Sequence, residues 1–372
     1  MPRELVAIAP RTPVLREYDE PAMGPAQIRI RAEFASPKHG TELVAYRNDP
    51  VANRPYDYSL GAVVPRDTDE GLRAFPRPLG NMAVGTIIET GPSVTRFTVG
   101  DRVFGHFPIR ETLTANETDA DLLPDGLSAE AAVCLDPVVM ALAMRDGGIK
   151  LGDRVAVFGS GAIGLVAVQL AQLAGASQVI ALDPLPNRRE LARTLGADVV
   201  VDPTEGDGDA GMAIRRVTGV VPTSPLRREQ IRLIGGYLDR PTQMSNLGVD
   251  VAVETSGSIS ALQQAIRGTR FGGTICVISF YGREAAGLYL GDEFHVNRLQ
   301  LISVRAESQP LRDAPGWDLE RLVQTSIDWL ISGRLQVEGI VTPIVPFAES
   351  VAAYQAIDEH PGQSIKLGIR FP

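Results

Sequence analysis

Cysteine is nearly absent: Cys134 and Cys276 are the only two in 372 residues, and both lie in apolar surroundings. That excludes a disulfide scaffold and a four-cysteine metal lobe. Two buried free thiols point to a reducing, cytoplasmic setting. Histidine is scarce as well, with four residues. No Lys/Arg-rich run occurs and the formal net charge is −9, which argues against nucleic acid as a partner. The first ten residues lack the apolar core of a signal peptide, so none is expected. Long apolar runs are also missing. Residues 155–176 come nearest to one, but they hold four glycines and two glutamines and follow Asp153-Arg154. A membrane span needs about twenty mostly apolar residues without such a break. The hydrophobic fraction of 44% and charged fraction of 22% are those of an ordinary soluble chain. At roughly 150 residues per domain the length suits two domains.

What is present is concentrated in residues 155–183. A short apolar strand, 155–158, runs into Gly159-x-Gly161-x-x-Gly164, then a helix-like apolar run to about Ala174. A second strand, 178–182, ends on Asp183. Gly159 permits a tight turn, Gly161 lets backbone approach a pyrophosphate, and Gly164 lets helix pack on strand. The helix N-terminus offers unpaired N–H groups and a positive dipole end to phosphate. Asp183 falls about twenty residues past the last glycine, where a carboxylate grips a ribose diol. Strand, glycine triplet, helix and closing acid together specify a dinucleotide site.

The first 150 residues read as β-rich and irregular, with strands at 27–34 (alternating Ile and Arg), 84–89 and 102–104. A helix is expected over 128–144, with Ser128 as N-cap, Glu130 in its first turn and Pro137 kinking or dividing it. From Asp153 onward strands and helices alternate: helix 187–195, strand 198–201, strand 249–254, helix 259–267 and strand 273–280. This is the βαβ pattern of a doubly wound parallel sheet. Residues 203–248 are too long for an ordinary connection and read as an insertion with a helix of its own at 227–237. An amphipathic helix over 317–332 and short strands close the chain.

This layout resembles the medium-chain dehydrogenase/reductase superfamily, the alcohol and polyol dehydrogenase group. The resemblance runs through Gly100-Asp101-Arg102-Val103, Leu123-Pro124-Asp125-Gly126-Leu127-Ser128, the glycine triplet, Glu254-Thr255-Ser256-Gly257 and Phe347-Ala348-Glu349-Ser350-Val351. It implies an α/β fold: a Rossmann sheet over about 151–304, and a GroES-like β-rich catalytic domain over 1–150 completed by about 305–372. It also implies a homodimer joined through the last Rossmann strands. Residues 300–304 would otherwise leave an exposed edge.

The zinc positions of that superfamily are altered here. His39, in His39-Gly40-Thr41-Glu42, stands where zinc-dependent members carry Cys. Asn81 and Met82 stand where they carry His and Glu, and Asp136-Pro137 replaces a polyol-type Glu-Pro. Ser36-Pro37-Lys38-His39-Gly40-Thr41-Glu42 resembles an expanded Ser-Pro-Gly-Thr-Glu run of bacteriochlorophyll-biosynthesis dehydrogenases, a branch that lacks the ligands. An Asn amide is a poor zinc donor, so no metal is expected.

Hydride transfer without zinc still needs an acid/base or a cation for the substrate oxygen. His39, with an ordinary pKa near 6.5, is the first choice as base. Lys38 supplies a cation, Thr41 a proton relay, and Asn81 and Asp136 orient substrate hydroxyls. His106, His295, Tyr46 and Tyr56 are weaker candidates for the substrate rim. Gly159, Ser160, Gly161, Ala162, Ile163, Gly164, Asp183, Arg188, Thr255, Ser256 and Ser279 are assigned to the cofactor. Asp183 favours NAD; Arg188 and Arg189 leave NADP as the alternative. Three functions stay open. The leading one is a zinc-independent NAD(P)-dependent dehydrogenase acting on a secondary alcohol: a sugar, a cyclitol or a biosynthetic intermediate. The others are an NADPH-dependent quinone or enoyl reductase and a non-catalytic nucleotide-binding redox sensor.

Overall fold

Gln27–Ser36 is the strand around which the first half of the molecule is built. Its alternating side chains bury Ile28, Ile30, Ala32 and Phe34 on one face. It pairs antiparallel with Met82–Thr90, Thr112–Asn116 and Lys366–Arg370. The same seven-stranded sheet runs on through Arg102–Gly105 and Asp121–Leu122 on one side and Val341–Pro346 on the other. A second sheet joins Thr12–Glu17, Arg3–Ala9 and Arg77–Pro78. Leu5, Ile28, Ile30, Leu79, Ile87, Phe347 and Tyr354 belong to one continuous core.

The computed structural model describes residues 1–49, 56–64, 75–219, 247–282, 284–304 and 310–372. The chain divides into two compact units, Met1–Asp136 with Ser326–Pro372, and Pro137–Thr325. The change-over points thus stand at 136 and 325, against the 150 and about 305 read from the sequence.

The second unit holds a six-stranded, all-parallel sheet. Its spatial order is Val199–Val201, Gln178–Leu182, Arg154–Phe158, Val249–Glu254, Thr269–Val277, Gln300–Ser303. Numbered along the chain this is 3-2-1-4-5-6, the doubly wound dinucleotide-binding order. The central strands are apolar on both faces because helices cover both. Val155, Ala156, Val157, Val179 and Ile180 are fully buried. Helices Ala162–Leu173, Pro186–Thr194, Ala210–Val217 and Ile259–Gly268 make the crossings.

The expected elements appear with ends shifted by a few residues. The helical stretch after Ser128 is divided, but not at Pro137. Ala129–Ala132 ends first, and Leu135–Leu142 restarts with Pro137 in its opening turn, where a missing N–H costs nothing. Part of the 203–248 segment is the crossing helix Ala210–Val217; the helix expected at 227–237 lies outside the described residues. Among the described residues no helix is long and apolar enough to cross a membrane.

Candidate active site

Helix His39–Tyr46 begins directly after the Gln27–Ser36 strand, and its start carries the first cluster. Lys38 Nζ lies 3.1 Å from Oδ1 and 3.0 Å from Oδ2 of Asp136. Asn81 Nδ2 donates to Asp136 Oδ2 at 3.3 Å. Asp136 is 9% exposed, so this ion pair sits in a poorly solvated place where charge interactions are strong. Three of the expected residues, Lys38, Asn81 and Asp136, therefore meet at one carboxylate although they lie far apart in sequence.

His39 is placed differently from its expected role. Its Nε2 accepts the backbone N–H of Leu367 at 3.0 Å. An accepting Nε2 carries no proton and has its lone pair committed to that amide. Thr41 is exposed on the first turn of the helix and makes no hydrogen bond to the Lys38 cluster among the described residues. Tyr46 is buried and packs edge-on against Tyr354, with ring centroids 5.0 Å apart, whereas Tyr56 is half-exposed. His106 and His295 are both exposed.

Glu42 organises the cluster from behind. Its carboxylate accepts Lys38 N–H at 3.0 Å, Gly80 N–H at 2.7 Å and the Tyr354 hydroxyl at 2.6 Å. It thereby fixes the residue before the helix to the turn that carries Asn81. Burial pushes the Glu42 carboxyl above its ordinary range despite these three donors. Burial, then the neighbouring Glu42, holds the Tyr354 phenol well above its usual value. Cys134 is buried, and that burial raises its thiol to about 12, which makes it inert.

The second cluster lies at the C-terminal ends of the parallel strands. Gly159 has φ +90°, a left-handed conformation that favours glycine, and an added Cβ would meet Ser256 at 2.9 Å. A Cβ on Gly164 would come 1.8 Å from the Gly159 carbonyl oxygen, so only glycine lets the helix pack this close. Gly161, by contrast, faces open space, with nothing within 4 Å of an added Cβ. Ala162 and Ile163, in the first turn, are partly exposed beside it. Open backbone at Gly161 beside the helix N-terminus leaves room for a phosphate to approach the helix amides.

Asp183 accepts Ser160 N–H at 2.8 Å and Leu185 N–H at 2.9 Å, and Arg188 lies 3.8 Å from the same carboxylate. Each oxygen of a carboxylate has a second lone pair for a hydroxyl donor. Thr255 Oγ1 donates to Phe158 O at 2.9 Å and Gly159 O at 2.8 Å, bracing the glycine turn. Ser279 Oγ accepts Gly257 N–H at 2.9 Å. Glu254, fully buried, accepts Ser256 N–H at 2.8 Å and is also bonded by the Ser256 and Tyr281 hydroxyls. Asp183, Thr255 and Ser256 thus lie against the Gly159–Ser160 turn, while Ser279 bonds to Gly257.

Sequence reasoning missed Glu254, Tyr281, Tyr354 and Lys366 as parts of these networks. Lys366 Nζ donates to Pro37 O, 329 residues away. No local pattern could link the two.

A catalytic zinc wants three good donors. Asn81 offers only an amide, Asp136 is already paired with Lys38, and His39 Nε2 receives an amide proton. Among the described residues no group of three or more His, Cys, Asp or Glu side chains gathers to hold a metal ion. The residues present do not fit that metal.

The fold and the glycine turn define a nucleotide-binding α/β unit, joined in one chain to a β-rich unit with its own polar cluster. Residues 57–134 match the family described as alcohol dehydrogenase GroES-like domain, and residues 162–314 match that described as zinc-binding dehydrogenase. The chain is 39% identical to D-guloside 3-dehydrogenase of Escherichia coli K12, over 99% of this chain and 100% of the relative. It therefore belongs to the medium-chain dehydrogenase/reductase superfamily, within its alcohol and polyol dehydrogenase group. A solved structure from Sinorhizobium meliloti 1021 bound to NADP shares the fold, with TM-score 0.71 and 19% identity over 100% of this chain and 99% of that one. An alcohol dehydrogenase of Escherichia coli CFT073 complexed with NADH superposes with TM-score 0.69 and 17% identity, over 100% and 99% of the two chains.

Proposed function

We propose that this chain is a zinc-independent, NAD-dependent dehydrogenase that oxidises a secondary ring hydroxyl of a sugar glycoside to the ketone. The observation that carries this reading is the Lys38–Asp136–Asn81 cluster, an ammonium ion held on a buried carboxylate that an amide also binds. The full-length similarity to D-guloside 3-dehydrogenase supports a glycoside, with the 3-hydroxyl as the reacting group.

A bound dinucleotide would supply the hydride acceptor for the carbinol carbon. Gly159–Gly164 would hold its pyrophosphate and Asp183 its ribose diol. The hydroxyl proton is left to the protein. The Lys38 ammonium faces the developing alkoxide as a cation and gives it a proton in the reducing direction; in oxidation the hydroxyl proton returns along the same path. Asp136 keeps the ammonium in place, and the Asn81 amide holds Asp136. Because His39 Nε2 already receives the Leu367 amide, proton work passes to Lys38 rather than His39.

We also propose that the protein works as a homodimer through Gln300–Ser303, the terminal strand of the parallel sheet. The decisive experiment is a cofactor-reduction screen of purified, metal-analysed protein with NAD and NADP against methyl glycosides, polyols and simple alcohols. Turnover of a glycoside with NAD, unchanged by chelators, is the expected result. About one zinc per chain, with activity lost to chelators and restored by zinc, would reverse the metal-free reading.

A further inference from the structure

Lysine is rare in this chain: Lys38, Lys150 and Lys366 are the only ones among 36 Lys and Arg residues. Two of the three lie around Asp136. Lys and Arg are not interchangeable, since the ammonium is compact and sits on a flexible stem. Lys38 has its role above, but Lys366 has none. It lies on strand Lys366–Arg370, is 4% exposed, and still carries an ionisable amine. Its Nζ donates to the Pro37 carbonyl at 3.2 Å. Burial pushes its pKa down, Cys134, Asp136 and Glu42 oppose this, and Lys38 adds to the lowering. Stability alone does not account for such a residue, because a buried ammonium is often no better for the fold than an apolar side chain of similar size.

The next residue works on the same segment. Leu367 N–H donates to His39 Nε2 at 3.0 Å, and the Leu367 carbonyl accepts the Ser36 hydroxyl at 2.7 Å. Lys366 and Leu367 thus grip Ser36, Pro37 and His39, the residues on either side of Lys38. Glu42 holds the Lys38 N–H itself at 3.0 Å. With its backbone tied on both sides, Lys38 has its side chain aimed at Asp136.

We propose that Lys366 is a positioning residue for the proton step: with Leu367 it seats Ser36–His39 so that the Lys38 ammonium stays on Asp136, and it governs turnover rather than binding of cofactor or substrate. This rests on the reading of Lys38 given above. The scarcity of lysine makes a direct test practicable. Acetylation by acetic anhydride, read by mass spectrometry at each lysine, reports how firmly the Lys38 ammonium is held, with exposed Lys150 as internal standard.

In Lys366→Met, labelling of Lys38 relative to Lys150 should rise about fivefold or more, the scale of one lost charged hydrogen bond. With NAD and methyl D-guloside, kcat should fall about tenfold while KM and the Kd for NAD stay within about twofold. In a Lys38→Met background the second change should cost nothing further in kcat, because both residues act through one group. Unchanged Lys38 labelling in Lys366→Met, or an equal additional loss in the Lys38→Met background, overturns the proposal. Full turnover in Lys38→Met overturns the reading of Lys38 instead, and the labelling ratio then decides the positioning by itself. If Lys366→Met does not fold, Ser36→Ala removes one tie to Leu367. It must raise Lys38 labelling in the same direction, and no change there overturns the proposal.

Discussion

At the scale of single residues, the difference between Lys38 and His39 shows what position in the sequence can and cannot assign. Both lie in one short run, and the family resemblance singled out His39 as standing at a zinc-ligand position. Yet the Lys38 side chain reaches Asp136, while the His39 ring takes an amide proton from Leu367. Lys38→Met should lower kcat about a hundredfold to ten-thousandfold, the range for loss of a general acid/base, with NAD affinity nearly intact. Steady-state kinetics with NAD titrations checks this; near-full turnover in the variant removes Lys38 from the chemistry. Asp183→Ser should weaken selectivity for NAD over NADP, because the carboxylate both accepts ribose hydroxyls and repels a 2′-phosphate. The ratio of kcat/KM for the two cofactors measures it, and a wild type that prefers NADP contradicts the assignment.

Among secondary-structure elements, helix Ala210–Val217 owes its start to one aspartate. Asp209 accepts Met212 N–H at 2.9 Å, and both of its oxygens accept Arg267 Nε at 2.9 Å. Hydrogen bonding from Arg267, against a smaller effect of burial, holds the Asp209 carboxyl below its ordinary 3.8. A carboxyl lowered in the folded state contributes stability that is present above that ordinary value. The contribution is lost as pH falls through the folded value. Asp209→Ala should therefore lower stability by about 1–2 kcal/mol at neutral pH, and the gap to wild type should close in acid. Thermal melts at pH 7 and near pH 3 test the sign; a gap that widens in acid contradicts it. Ser128, whose hydroxyl accepts Ala131 N–H at 3.1 Å, is the cap foreseen from sequence. The helix is divided as the sequence suggests, but between Ala132 and Leu135 rather than at Pro137, because the opening turn of Leu135–Leu142 accommodates a residue without an N–H.

For the whole molecule, the parallel sheet ends on a strand whose Leu301 is 44% exposed. An exposed edge with an apolar side chain invites pairing with a second copy. Light scattering at micromolar concentration should report a dimer. Leu301→Lys should shift it towards monomer, since a charge on an edge strand discourages pairing. A monomeric wild type contradicts the proposed assembly.

The sequence by itself determined the parallel sheet, the glycine turn and the acid at its neighbouring strand, because these depend on spacing within some thirty residues and on periodic burial. It also marked Lys38, Asn81 and Asp136 as individual candidates. Only the tertiary structure decided which of them meet. The carboxylate of Asp136, the amide of Leu367 and the ammonium of Lys366 come to the 36–42 segment from 98, 328 and 329 residues away. Such contacts follow from strand order in the β-rich unit, where Lys366–Arg370 lies beside Gln27–Ser36. Chemistry at this site depends on ångström distances between side chains, and local sequence carries no information about a partner that only the sheet brings near.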